Sequence, residues 1–279
     1  MDRRTFAANS YVADEGLRGQ IDHHNFVQGR TKSVAVAVAD LCDKPNGARD
    51  RQLLFGDEIT ELDTRDGWSF VIAQHDGYVG YLRAEQIADK VRSTHLVTAR
   101  FAFCFQEPNF KSVYLERLPL GSTIRVTEIQ EGYVKCDFGW IPTQWVTPIP
   151  QRPQAPLSIA RGLIGTPYLW GGNTPLGIDC SGLIQLCLRI CGLNAPADSD
   201  QQLRGLGADV ADTVFHSGDF LFWKGHVAWV YDHSRIIHAN AHHMAVAFEN
   251  ISDACARIMA QGGGEIIGHK RLDESCEFL

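Results

Sequence analysis

The strongest constraint on the fold is an internal repeat. The stretch LFGDEITELDTRDGW at residues 54–68 recurs as LGSTIRVTEIQEGY at residues 120–133, aligning Gly56 with Gly121 and Gly67 with Gly132 at one offset. Gly80-Tyr81 is then echoed by Gly139-Trp140. Around these glycines, KSVAVAVADL, EITEL, WSFVIAQ and GYVGYL alternate or are rich in β-branched and aromatic residues, and DTRDG and HDG punctuate them. That is the signature of short strands joined by tight turns. Two copies of a small all-β unit of about 60 residues account for the pattern. Each copy is small for an independent core, so the two are expected to pack on one another or on the remainder of the chain.

The pattern changes at PIPQRPQAP, residues 148–156, where four of the eleven prolines fall. Such a run makes an extended, semi-rigid spacer. The expected layout is an arm at residues 1–30, β units at 31–91 and 92–147, a linker at 148–156 and a third domain at 157–279. In that domain SIARGLIG suggests a short helix capped by Ser158 and ended by Gly165. From Cys180 onward, Leu183, Leu186, Cys187, Ile190 and Cys191 recur at helical spacing, and Gly192 supplies a stop. GDFLFW, HVAWVYD, RIIHANA and EIIGHKRL then read as strands, an α+β layout.

Composition closes off several classes. With 44% hydrophobic and 21% charged residues, the 279-residue chain is neither disordered nor a coiled coil. It has no apolar run of membrane-spanning length and no apolar core near its start, so the expectation is a cytoplasmic protein with no membrane partner. A net charge of −7 without a Lys/Arg block argues against nucleic acid.

The eight cysteines include no CxxC pair, so neither a zinc site nor any other metal or cofactor is expected. One differs from the rest. Cys180 sits where the Gly-rich loop GGNTPLGID gives way to a helix, and the N–H groups and dipole of a helix start favour a thiolate. That expectation of a lowered thiol pKa makes Cys180 a candidate nucleophile. Cys187 and Cys191 fall on the apolar face and are expected in the core. His226 opens a strand and offers a base. If Ala228 pairs near His238, the two histidines share one face of a hairpin, giving a nucleophile–base–orienter set. Adjacent His242 and His243 point apart if they lie on a strand, which argues against a metal. The GGG at residues 262–264 reads as a turn, without the flanking elements of a nucleotide loop.

These stretches carry a resemblance. GTPYLWGG, DCSGLIQ, SGDFLFWKGHVAWVYD and IIHANA occur in the order found in the NlpC/P60 family of papain-like cysteine peptidases. The two repeats resemble bacterial SH3 (SH3b) domains, the first more closely. The resemblance implies two small all-β SH3-like barrels followed by an α+β papain-like peptidase domain. It implies Cys180 as nucleophile, His226 as general base, His238 as its orienter and Tyr168 as a contributor to oxyanion stabilisation. Trp170, beside it, is expected to pack under the loop.

The family's typical reaction is cleavage of the γ-D-glutamyl–diamino acid bond of murein peptides. In SH3b-bearing members the resemblance implies recognition of a free N-terminal L-Ala, here by Asp179, Ser181 and Tyr81, with Tyr78 as the alternative to Tyr81. Asp179 reads equally as a helix cap, and Glu58 reads as an exposed turn residue. The implied role is trimming of cell-wall fragments during recycling. Two rivals stand beside it: a non-catalytic wall-peptide binder, and a thiol amidase or acyltransferase on the same scaffold.

Overall fold

A computed structural model describes residues 1–211 and 214–272; Cys276 lies outside the described residues. The chain forms two compact units, Met1–Ile149 and Pro150–Leu279.

The repeat is visible strand by strand in the first unit. Strands Val38–Cys42, Arg49–Leu54, Glu58–Arg65, Trp68–Ala73 and Val79–Arg83 have the spatial order second, first, fifth, fourth, third. Strands Phe101–Phe105, Tyr114–Pro119, Glu128–Gln130, Tyr133–Cys136 and Gly139–Pro142 repeat that order. Even the irregularities recur: the register slips between Leu41 and Cys42 in one copy and between Cys104 and Phe105 in the other. The aligned glycines explain themselves. Asp66-Gly67 and Glu131-Gly132 form two-residue hairpin turns in which both residues have positive φ, 49° and 77° in the first copy, 48° and 83° in the second. This turn geometry matches the twist of the flanking strands, and glycine adopts it without a Cβ penalty.

The two copies pack on one another, as their size requires. Phe55 of the first copy joins the core of the second with Leu118, Ile124 and Ile141, its ring 4.8 Å from that of Phe138. Gly56 follows with φ +81°, and a Cβ there would run into the backbone oxygen of Thr123. The N-terminal arm lies on the first copy: Ala7 and Val12 pack against Leu62, Phe70 and Val79, and Arg3 pairs with Asp50 at 2.8 Å.

The second unit has helices α1 (Pro156–Gly162), α2 (Cys180–Ile190), α3 (Ser199–Gly205) and α4 (Ile251–Ala260). Its six-stranded antiparallel sheet runs Ala208–Asp209, Gly268–Arg271, Phe220–Trp223, His226–Val230, Arg235–Asn240, Ala245–Asn250. The expected strands are present, and α2 ends as anticipated, with Gly192 at φ +85°. Ser158 does not cap α1. Pro156 occupies its first turn, where a missing N–H costs nothing, and the helix stops at Gly162 before reaching Gly165. Helix α4 was not anticipated, although Ile251, Ala254 and Ile258 line one face and Asn250 caps it. The GGG segment is the turn after α4, with Gly262 and Gly264 at positive φ.

Ten of the eleven residues of α2 are buried, so the helix is wrapped by protein on all sides. It packs on strands His226–Val230 and Arg235–Asn240. Helix α4 covers the other face, where Ile251, Ala254 and Ile258 meet Leu221, Trp223, Ala228, Val230 and Ile236.

Candidate active site

Asp179 builds the start of α2. Its Oδ1 accepts from the Gly182 N–H at 2.7 Å and from the Ser181 hydroxyl at 3.1 Å, while Oδ2 accepts from the Gly171 N–H at 2.8 Å. One carboxylate thus caps the helix and ties it to the loop. Gly182 allows the close approach: a Cβ there would stand 2.5 Å from the Gly172 carbonyl oxygen. Cys180, six per cent exposed, is thereby held at the first helical position. Cys187 and Cys191 are buried further along, as expected of core cysteines.

The sheet supplies the histidines. Trp229 pairs with Ile237 and Val230 with Ile236, a register that would set Ala228 opposite His238 one step further on. The two histidines therefore lie diagonally on one face, and His226 Nε2 stands 2.9 Å from His238 Nδ1. The ladder is not paired beyond Trp229, and the N–H of Val227 is instead donated to the Cys180 sulfur. The thiol thus reaches the sheet beside His226. His226 is half-buried against Trp223, with ring centres 5.8 Å apart, and His238 is fully buried.

The electrostatics differ from expectation. The N–H groups of Val227, Ser181 and Cys180 favour the thiolate, but burial and then the Asp179 charge outweigh them, and the thiol is pushed up to about 12. Burial, helped by His238 and Arg257, brings His226 down to about 3. Burial thus disfavours the charged form of both groups, against the thiolate that helix-start placement alone suggests. A helix start lowers a thiol pKa where solvent reaches the sulfur; here desolvation is the larger effect.

Tyr168 lies beside the cysteine. Its N–H bonds the Met244 carbonyl at 2.9 Å, and its phenol is raised above the ordinary range by burial and then by the Cys180 and Asp179 charges. Trp170 does not pack under the loop. Tyr168 bridges to Ile178, Leu169 is directed onto Gly177, and Trp170 on the next outward position is 70% exposed.

The sequence reading stopped at His238, but the network continues. Glu249 Oε2 lies 3.0 Å from His238 Nε2, and Arg257 of α4 grips both Glu249 oxygens at 2.8 and 2.7 Å. Pairing of Ile236 with Glu249 puts Glu249 on the face of His238. His242 and His243 lie in a turn rather than on a strand, with ring centres 4.8 Å apart. Ligand atoms of His243, His238 and Glu249 fall within 4.8 Å of one another, a set that could hold a metal ion but for the guanidinium already on Glu249.

In the first unit, Tyr81 packs on Phe70 with ring centres 5.0 Å apart, and its hydroxyl accepts from Asn9 at 3.1 Å. Tyr78 is only 2% exposed, beneath Arg51. Of the two, only Tyr81 offers surface, at a cleft of about 230 Å³ with Trp68 and Tyr11. Glu58 is exposed and paired with Lys90 at 2.7 Å.

Comparison with known proteins agrees with this geometry. Residues 165–259 match the NlpC/P60 family, and residues 41–87 match the bacterial dipeptidyl-peptidase Sh3 domain. The dipeptidyl-peptidase 6 of Lysinibacillus sphaericus is 26% identical over 220 residues, spanning 68% of this chain and 79% of the relative. The gamma-D-glutamyl-L-lysine dipeptidyl-peptidase of Bacillus cereus is 27% identical over 254 residues, 82% of this chain and 69% of the relative. A crystal structure of an NlpC/P60 family protein from Bacillus cereus shares the fold, with a TM-score of 0.70 at 19% identity over 86% of this chain and 99% of that one. With a helix-start cysteine and a histidine pair inside the matched segment, the chain carries a cysteine-peptidase domain of the NlpC/P60 family, preceded by a bacterial SH3 domain of the dipeptidyl-peptidase type.

Proposed function

We propose that the chain hydrolyses the γ-D-glutamyl–diamino acid bond of murein peptides that carry a free N-terminal L-Ala. The observation that carries the reading is the Cys180 sulfur beside the His226 strand end, with His226 bonded in turn to His238. The names of the relatives support the bond class.

Burial disfavours the charged form of both groups, and in this reading the proton moves as the sulfur attacks. His226 Nδ1 takes the Cys180 proton while Sγ bonds to the γ-carbonyl carbon of D-Glu. The carbonyl oxygen becomes an oxyanion, met by the Cys180 N–H and the Tyr168 hydroxyl. Collapse breaks the C–N bond, and His226 returns its proton to the departing amine. Water, deprotonated by His226, then attacks the thioester and regenerates the thiol. His238 accepts from His226 Nε2–H throughout, keeping the basic Nδ1 toward sulfur.

In this reading Asp179 and Ser181 receive the L-Ala ammonium, because a desolvated cation must be paired. A requirement for the free amine would spare intact wall, where L-Ala is amide-linked, and suits a cytoplasmic enzyme of cell-wall recycling.

The test is incubation with L-Ala-γ-D-Glu-diaminopimelate followed by mass spectrometry. Wild type should release the dipeptide and Cys180→Ala should not; an intact substrate, or cleavage by the variant, refutes the assignment. Acetylating the L-Ala amine should abolish or greatly slow cleavage, and equal rates on the two peptides would remove the amine requirement.

A further inference from the structure

We propose that Glu249 and Arg257 are positioning residues of this centre: Glu249 fixes which nitrogen of His238 carries the proton, and thereby which nitrogen of His226 is left free for Cys180. The proposal rests on the reading of Cys180, His226 and His238 as the hydrolytic set.

Two histidines share one bond, and its direction can run either way. At 2.9 Å, either His226 Nε2–H donates to His238 Nδ1, or His238 Nδ1–H donates to His226 Nε2. A neutral imidazole has one N–H and one lone pair, so each choice determines the far side of both rings. In the first arrangement His226 keeps a lone pair on Nδ1 and His238 carries its proton on Nε2. In the second, His226 carries its proton on Nδ1, and its only lone pair is spent on His238. Only the first arrangement can take a proton from the thiol.

Nothing within the histidine pair chooses between them; Glu249 does. A carboxylate only accepts, and its Oε2 lies 3.0 Å from His238 Nε2. A lone pair on that nitrogen of the fully buried His238 would face a negative oxygen, whereas an N–H would be attracted to it. The N–H is not aligned with the oxygen in this arrangement, so the contact selects the tautomer through charge.

Arg257 holds the device in place. Its Nε and Nη2 form a two-pronged grip on Glu249, and Nη1 is anchored on Gln261 at 3.1 Å. The fork keeps the carboxylate ionised and its Oε2 turned to His238. Strand geometry explains the alignment: with Ile236 opposite Glu249 and Ala247 opposite His238, Glu249 stands one diagonal from His238, the same relation His238 bears to His226. Charge, proton and base thus run across three neighbouring strands.

A metal at His238, Glu249 and His243 is the competing reading of the same atoms. It would compete with the guanidinium for Glu249 and occupy the His238 nitrogen, forcing the proton to Nδ1 and the pair into the unproductive arrangement.

The test uses the full chain, labelled with ¹⁵N in its imidazoles. Long-range ¹⁵N–¹H spectra of wild type should show Nε2–H on both His226 and His238; Nδ1–H on His238 overturns the proposal without any variant. In Glu249→Gln, Arg257 keeps the amide carbonyl and the amide NH₂ turns toward His238, so its proton should move to Nδ1. On the murein tripeptide, kcat should fall about 10–100-fold with little change in KM, the range for groups that orient a functional histidine. Alkylation of Cys180 by iodoacetamide at neutral pH should slow in parallel, a readout independent of which peptide is cleaved. Glu249→Asp and Arg257→Lys should recover part of the rate with the wild-type tautomer. A folded Glu249→Gln protein with wild-type kcat and alkylation rate overturns the proposal. So does loss of wild-type activity on EDTA treatment that zinc restores.

Discussion

Removing the Asp179 carboxylate should separate its structural work from its effect on the thiol. In Asp179→Ala, α2 loses its cap, a loss of about 1 kcal/mol. The buried Gly171 N–H also loses the acceptor it now has at 2.8 Å, which costs about 1–3 kcal/mol more. The unit that holds α2 should therefore lose about 2–4 kcal/mol. At roughly 3–4 °C per kcal/mol for a unit of this size, calorimetry of the full chain should show its transition fall by roughly 6–15 °C. Asp179→Asn keeps the acceptor for Gly182 and should fall by roughly half as much, its cost coming from an amide facing Gly171. The thiol responds in the opposite sense. Asp179 is the second cause, after burial, of the raised Cys180 pKa, so Asn should bring the pKa down and speed iodoacetamide alkylation at pH 8. Melting of both variants within about 1 °C of wild type would refute the capping argument. Unchanged alkylation of the Asn variant would refute the electrostatic one.

Gly56→Ala should destabilise the first unit by several kcal/mol, because it combines a φ of +81° with a Cβ driven into the Thr123 backbone; a thermal midpoint equal to wild type would contradict this. Acidification should weaken the second unit well before its carboxylates titrate. His226 is brought down to about 3 in the fold but takes a proton near pH 6.5 when unfolded, so its contribution is fully present above about pH 6.5 and is lost as pH falls toward 3. The slope should approach about 1.4 kcal/mol per pH unit between pH 6 and 5, measured by urea unfolding, and His226→Gln should flatten it.

Residues that act through local geometry were legible in the chain. The aligned Gly67 and Gly132 report positive φ wherever they occur, and the repeat therefore revealed its hairpins directly. Cys180 was legible because a Gly-rich loop meeting an apolar helix has few other meanings. Long-range selection was harder to see. His226 and His238 could be placed on one face only by assuming a register, and Glu249 could not be distinguished from any other acidic residue near a strand end. Helix α4 left a readable trace in Ile251, Ala254 and Ile258, yet nothing in that trace says that Arg257 turns toward a carboxylate.

The sequence by itself determined the two-copy β architecture and the helix-start cysteine, because tight turns, caps and periodic burial are set by neighbours along the chain. Only the tertiary structure decided which way burial shifts the groups of the site and how far its polar network reaches. Desolvation depends on everything packed around an atom, so burial of Cys180 reversed the pKa shift expected of a helix start. The line from His226 through His238 and Glu249 to Arg257 exists because three strands and a helix converge there, a convergence that spacing along the chain does not encode.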